Sequence, residues 1–367
     1  MPSLITIFRA IPDPRRGNAQ RHDLLDILTI ALVASVCGAE SCVDFAEFAE
    51  DREQLLREFL RLENGLPSHD TFSRVFRLLD PAAFGRAFEA FLADLGADGV
   101  GVLAIDGKTL RRSFDRAAGR SALHVVTAFG ADARLSVGQR AVAPGENEIT
   151  AARALLATLA LDGALVTGDA IHAQAETAQL VLERGGDYLF ALKANRPAML
   201  AAVAAFFADP PAPLESFETT DADHGRVETR RCQVSHCVDW LFSDRAAPGA
   251  PRMPGLATIA RVDAIRDDGP TASRYFLSSA HMSAEACARA VRAHWAIETS
   301  LHWVLDVTFD EDTARNRKDN GPENLAILRR LTLNLLRTAR PKLPISRKRK
   351  RAAWSDDFAR TIIGQMR

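Results

Sequence analysis

Val100-Gly101-Val102-Leu103-Ala104-Ile105 is an unbroken apolar run that ends against Asp106-Gly107-Lys108. It is too short for an ordinary helix and rich in branched side chains, so it reads as a strand buried on both faces. Leu123 to Phe129 and Leu135 to Val142 read as two more strands, near enough in sequence for hairpins. Asn147 to Leu161 is then helical, Ala164 to Thr167 a short strand, Gln174 to Arg184 helical, and Asp187 to Leu192 another strand. The order β-β-β-α-β-α-β implies an α/β mixed sheet, because hairpins join the early strands and helical crossovers the later ones.

Working outward, Asp23 to about Leu95 is helical, with Leu24, Leu25, Leu28, Leu32 and Val36 at three- and four-residue steps, giving an all-helical opening unit. Ser68 reads as the N-cap of a helix over His69 to Leu79. The outline is that of a helix-turn-helix. A DNA-reading helix would expose His69, Asp70, Ser73 and Arg74, and the same residues suit a solvated face. On the other side, Pro-rich turns between Pro197 and Ser279 separate β-like runs at Arg226 to Val234 and Leu256 to Val262. A long helix from Ser283 through Trp303 follows, then one over Pro322 to Thr338 and a short one near Asp356. The expected division is a helical N-terminal domain (1–98), the first part of the core (99–196), a β-rich insertion (197–279), the core's completion (280–340) and a basic tail (341–367).

With 367 residues, 47% hydrophobic and 25% charged, the chain can bury a full core, and its net charge of −1 does not announce a nucleic-acid partner. The longest apolar run, Ile27 to Ala39, falls short of the roughly 20 residues that cross a bilayer, and the N-terminus lacks an export-type apolar core. Five cysteines, an odd number, suit a reducing compartment, so no membrane and a cytoplasmic location are expected. Cys37/Cys42 and Cys232/Cys237, the latter with His236, are wider than the usual zinc spacing and read more simply as buried thiols.

Local charge points to nucleic acid. Between Thr313 and Arg351 thirteen Lys/Arg stand against Asp319 and Glu323, a balance of +11 that reads as a phosphate-binding stretch. Lys108, Arg111 and Arg112 form a second cluster, and Arg226, Arg230 and Arg231 a third. Asp106 directly follows a strand and Asp169 lies just beyond another, so both stand at C-terminal strand ends, where loops let side chains converge. The long helix places His294, Glu298, His302 and Asp306 four apart on one face, with Ala293, Ile297, Leu301, Val304 and Leu305 on the apolar face against the sheet. Three carboxylates suit Mg²⁺ or Mn²⁺, and two such ions support phosphodiester cleavage. A single zinc held by His294, Glu298 and His302 is the second reading.

At these residues the chain resembles the ISAs-type, H-repeat-associated insertion-sequence transposases of the DDE superfamily. The matching stretches are Ile11-Pro-Asp-Pro-Arg-Arg-Gly17, Arg21-His-Asp23, Leu66-Pro-Ser-His-Asp-Thr-Phe72, Ala104-Ile-Asp-Gly-Lys108 and Val166-Thr-Gly-Asp-Ala170. They continue with Leu192-Lys-Ala-Asn195, His224-Gly-Arg-Val-Glu-Thr-Arg230, His294-Trp-Ala-Ile-Glu298 and Leu301-His-Trp-Val-Leu-Asp306. The resemblance implies an RNase H-like core with a β-rich insertion, and Asp106, Asp169 and Glu298 as a triad holding two Mg²⁺ or Mn²⁺ ions. It implies double-stranded DNA as partner, element ends and target alike, a homodimer on that DNA, and strand cleavage followed by attack of the freed 3′-hydroxyl on target. A domesticated or inactive DNA-binding remnant, and a nuclease that does not join, are the alternatives. Related enzymes carry Tyr-x2-Arg-x3-Glu-x6-Lys around the Glu. Here Val291, His294 and Leu305 occupy the other three positions, and Arg292, His294 or His302 are expected to take over the phosphate contacts. Lys193, Arg111, Arg112, Arg226, Arg230 and Lys108 complete the expected DNA-binding set.

Overall fold

The structure, a computed structural model, describes residues 4–94, 101–223, 226–242, 253–266 and 272–364. The boundary expected at 98/99 and the side chain of Arg226 lie outside the described residues. Strands β1 (Gly101–Thr109), β2 (His124–Gly130) and β3 (Leu135–Ala141) form an antiparallel meander, and β4 (Ala164–Gly168) and β5 (Asp187–Leu192) run parallel to β1. Their order, β3-β2-β1-β4-β5, is RNase H-like. The crossovers are helices α3 (Glu148–Leu156) and α4 (Ala175–Glu183); the N-terminal helices include α1 (Leu24–Val36) and α2 (His69–Leu78).

The sheet does not stop at β5. Strands β6 (Glu215–Asp223), β7 (Arg226–Ser235), β8 (Thr258–Arg266) and β9 (Ala272–Ser278) continue it as β5-β9-β8-β7-β6, nine strands among the described residues, with β6 outermost of them. The joint is antiparallel, Leu189 to Leu192 of β5 against Tyr275 to Ser278 of β9. The strands read as an insertion therefore extend the core sheet. They are preceded by a helix absent from the sequence reading, α5 (Pro197–Ala208), whose proline sits at the helix start where its missing N–H costs nothing.

Alternation along β1 divides the core. Leu103 and Ile105 pack with Leu155 of α3, Val181 of α4 and Val203 of α5, whereas Ala104 faces the N-terminal helices and α8 (Gly321–Thr338). Between α5 and α8 the chain forms α6 (Ala284–His294) and α7 (Trp303–Thr308). Every residue of α1 is buried, so the long apolar run is a core helix. Ile27, Leu28, Ile30 and Leu32 are completely covered, each contributing about 1.5–3 kcal/mol. No described helix is long and apolar enough to cross a membrane.

Two expectations are corrected here. The helix from Ser283 to Trp303 is interrupted: α6 ends at His294 and a six-residue π-helical turn, Ile297–His302, precedes α7. The basic tail is two helices, α9 (Ile345–Trp354) and α10 (Asp356–Gly364), packed on α1. Lys348 and Arg349 are buried, as are Arg329 and Arg330 of α8, so these four cations belong to the interior and not to a phosphate-binding stretch. Lys348 Nζ donates to the Leu336 and Ala339 carbonyls at 2.6 and 2.5 Å, closing the C-terminal end of α8.

Candidate metal and nucleic-acid site

Pairing of Ile105 with Gly168 makes Asp106 and Asp169 the next residues on neighbouring parallel strands. Asp106 is inside β1, opposite Thr127 of β2, and not directly after the strand, because β1 runs on to Thr109 beside β2 after β4 has ended. Across from them stands the π-helical turn. Its wider winding keeps Ile297 and Leu301 fully buried, with Leu305 of α7, and presents Glu298 and His302 to Asp106. Ligand atoms of Asp106, Glu298 and His302 all lie within 4.8 Å of one another. His302 Nδ1 is 3.5 Å from Asp106 Oδ2 and 3.5 Å from Glu298 Oε2.

The two carboxyls titrate apart. Burial, and then the Glu298 charge, push Asp106 up to about 8, while the His302 hydrogen bond brings the more exposed Glu298 below its ordinary value. A divalent cation fits this place, since it would relieve the repulsion between two carboxylates facing an imidazole. His302 Nε2 is buried without a hydrogen-bond partner. Asp169 is outside this trio: it is half exposed, and Lys193 Nζ donates to its Oδ1 and Oδ2 at 3.3 and 3.2 Å. Asp106, Asp169, Lys193, His294 and Glu298 nevertheless line one cleft of about 650 Å³.

The other expected residues divide sharply. His302, expected on phosphate, is buried in the acidic trio. Lys108 is corrected likewise: alternation turns it to the Asp106 face, where it is buried, bonds Asp306, and lies 3.2 Å from Glu311 Oε2. That bond also removes Asp306 from the expected stripe of four ligands. His294 contributes to the cleft wall, its Nδ1 2.9 Å from Thr167 Oγ1, and burial holds its imidazole below the ordinary value. The zinc trio of His294, Glu298 and His302 is thus not the one assembled. The cysteines are free; burial raises the Cys37 and Cys42 thiols to about 12. Among the described residues, only Asp106, Glu298 and His302 form a three-residue cluster able to hold an ion.

Arg111 and Arg112 are exposed, Arg111 Nε standing 3.4 Å from Asp312 Oδ2. Arg230 and Arg292 line a second groove of about 1150 Å³, between α6 and strands β6 to β9. Arg134, Arg274 and Arg289 share its wall, and Arg230 also pairs with Glu228 at 3.0 Å. This groove meets the acidic cleft at Val291, Arg274 and Trp295, where the Arg274 guanidinium lies 5.3 Å from the half-exposed indole. Sequence reasoning missed Arg134, Arg274 and Arg289. The three-residue step Arg289, Arg292, Trp295 along one helix was the available signal. Of the three departures from the related signature, Val291 and His294 line the cleft and Leu305 is completely buried.

The family model described as "Transposase DDE domain" matches residues 99–335, and "DDE_Tnp_1-associated" matches residues 5–92. The chain is 34% identical to "H repeat-associated putative transposase YhhI" of Escherichia coli K12, over 99% of this chain and 98% of that one. It is 43% identical to "Uncharacterized protein in dhlA 3'region" of Xanthobacter autotrophicus, over 73% of this chain and 90% of the other. Among solved structures, the piggyBac transposase synaptic complex with hairpin DNA is similar at 12% identity and a TM-score of 0.45, over 96% of this chain and 76% of that one.

Proposed function

From the premise that this chain belongs to the DDE transposase family, we propose that it cuts DNA at the ends of an insertion sequence and joins the freed 3′ ends to target DNA. The observation that carries the reading is the continuity of two surfaces: an acidic cleft bearing Asp106, Asp169 and Glu298 opens into a groove walled by arginines. Carboxylates alone would repel a phosphodiester, and arginines alone would only bind it; side by side they suit phosphoryl transfer on DNA.

Asp106, Glu298 and His302 would hold a divalent ion, Mg²⁺ or Mn²⁺, with Asp169 on the facing wall for a second. Bound there, such ions activate water as nucleophile and steady the leaving oxygen. The chain's own groups do the remainder. Arg230, Arg274, Arg289 and Arg292 orient the strand by its phosphates, and Trp295 gives a flat face at the junction. Lys193, now on Asp169, is placed to move to a phosphate oxygen when that carboxylate is engaged. Cutting at two element ends makes a homodimer the working assembly.

The test is nicking and joining of DNA that carries the flanking element ends, with Mg²⁺ or Mn²⁺, for the wild-type chain and Asp169→Ala. Products from the wild type alone support the reading. Binding without products in both proteins would identify a DNA-binding remnant, and nicks without joined strands a nuclease.

A further inference from the structure

On the sheet face opposite Glu298, a second group of titratable side chains lies outside the cleft. Glu148, the first residue of α3, places Oε2 2.7 Å from His124 Nε2 of β2, a hydrogen bond, and Oε1 3.3 Å from His172 Nε2, a close charge contact outside hydrogen-bond geometry. His172 is completely buried and belongs to the short turn Ala170–His172 that follows Asp169. His124 is fixed in turn by Thr109 Oγ1 of β1, 2.8 Å from its Nδ1. Asn147 caps α3, accepting from the Thr150 amide at 2.9 Å, so the carboxylate is presented from a rigid helix start whose dipole favours it.

Two glycines make room for this bridge. A Cβ on Gly107, next to Asp106, would lie 2.5 Å from both the Glu148 carboxyl and His124 Nε2. A Cβ on Gly168, next to Asp169, would lie 3.2 Å from His172. The residue after one aspartate and the residue before the other thus both lack side chains where the histidines and Glu148 cross beneath them. From the far side, Asn195 Nδ2 and Arg196 Nε donate to the Ala170 and Ala173 carbonyls, each at 2.6 Å, holding the same turn.

We propose that His124, Glu148 and His172 form a clamp of positioning residues that fixes the Asp169 turn against β1 and β2, and so sets the separation of Asp106 and Asp169. The clamp touches neither substrate nor metal; it acts through the backbone of the turn. Its bearing on metal binding rests on the proposed function, in which both aspartates are ligands. Residues that orient ligands from behind commonly change metal affinity 10–100-fold when replaced.

The experiment has two independent readouts on the full chain. The first is hydrogen exchange without metal: Glu148→Ala should speed exchange at the amides of His172 and Ala173, which now bond the Asp169 and Ala170 carbonyls, while β1 and β4 keep their protection. Wild-type exchange at those amides would overturn the clamp. The second is Mn²⁺ titration by electron paramagnetic resonance, where Glu148→Ala should bind about 10-fold or more weakly and Glu148→Gln, which keeps the reach, should fall between. Equal affinity in all three proteins would overturn its role in spacing the aspartates. Should Glu148→Ala fail to fold, Gly107→Ala serves, since its Cβ displaces the same carboxylate, with the same two outcomes. If wild-type protein neither binds Mn²⁺ nor cuts DNA, the transposase reading fails while the exchange result still decides the clamp.

Discussion

At the residue scale, His302 joins two carboxylates that could not otherwise share so small a volume. Replacing it with Gln keeps some polarity but removes the imidazole from Asp106 and Glu298. We expect His302→Gln to weaken Mn²⁺ binding by about 10–100-fold with little change in melting temperature, read by titration calorimetry alongside thermal unfolding. Affinity equal to wild type would remove His302 from the ligand set. Strand ends and helix spacing are local signals, and they singled out Asp106, Asp169 and Glu298, which line one cleft, although Asp106 lies inside β1 and not at its end. His302 was legible as a position and misassigned in role, since spacing along a helix does not say which carboxylate the side chain will meet. Lys108 failed for a simpler reason. Three residues of strand extension past Asp106, Gly107 to Thr109, are invisible in a polar stretch, yet strand alternation then decides that the lysine points inward.

At the element scale, the π-helical turn is what places Glu298 and His302. Deleting Ser300 should return the turn to α geometry and rotate the segment before it by about 100° relative to α7. The expected result is a folded protein that no longer binds Mn²⁺; retention of wild-type affinity would show the wider turn to be incidental. The charge network behind α7 makes a different prediction. Glu311 is completely buried, and although burial alone would raise its carboxyl, Arg330, Lys108 and Arg329 hold it at about 2. Because the folded value lies below the unfolded one near 4.5, the linked stability is present above pH 4.5 and is lost as pH falls toward 2. The linked free energy is on the order of 3 kcal/mol, so Glu311→Gln should flatten the acid limb of a urea-denaturation pH profile and lower stability at neutral pH. An unchanged acid limb would exclude Glu311 as its source. The break in the long helix was not legible, because a π turn preserves the apolar spacing that identifies a helix. Helix α5 was missed because its alanines and phenylalanines carry no polar face to reveal a period.

At the scale of the whole molecule, α9 joins the two ends of the chain. Arg349 Nε donates to the Ser35 carbonyl at 3.2 Å, its Nη1 bonds the Thr308 carbonyl, and its guanidinium lies 4.4 Å from the Phe309 ring. It therefore couples α1, α7 and α9. Arg349→Ala should cost about 2–5 kcal/mol, because it leaves buried carbonyls unpaired and opens a cavity, and should lower the melting temperature by several degrees. Two exposed neighbours behave oppositely: Arg347→Ala and Lys350→Ala combined should leave melting unchanged, whereas Arg351 lies over the Phe358 ring of α10. If these two meet DNA phosphates, the slope of log affinity against log salt falls by up to about 2. A lower melting temperature in the double variant, or none in Arg349→Ala, would reverse this assignment. The sequence showed the run of charge from Arg347 to Arg351; which cations turn inward depends on a helix packing against α1, and no local pattern records that.

The outer strand β6 has a consequence for handling and for life in the cell. Its sequence, Glu-Ser-Phe-Glu-Thr-Thr-Asp-Ala-Asp, places four acids in nine residues along the one edge of the sheet formed by the added strands. An unpaired edge invites a second copy to add its own, and amyloid-type growth begins that way. Here a copy approaching edge to edge would set one acidic sequence against another, which disfavours such pairing even though Glu218 also pairs with Arg231. Neutralising those acids with acid or high salt is the condition under which fibrillation should first appear.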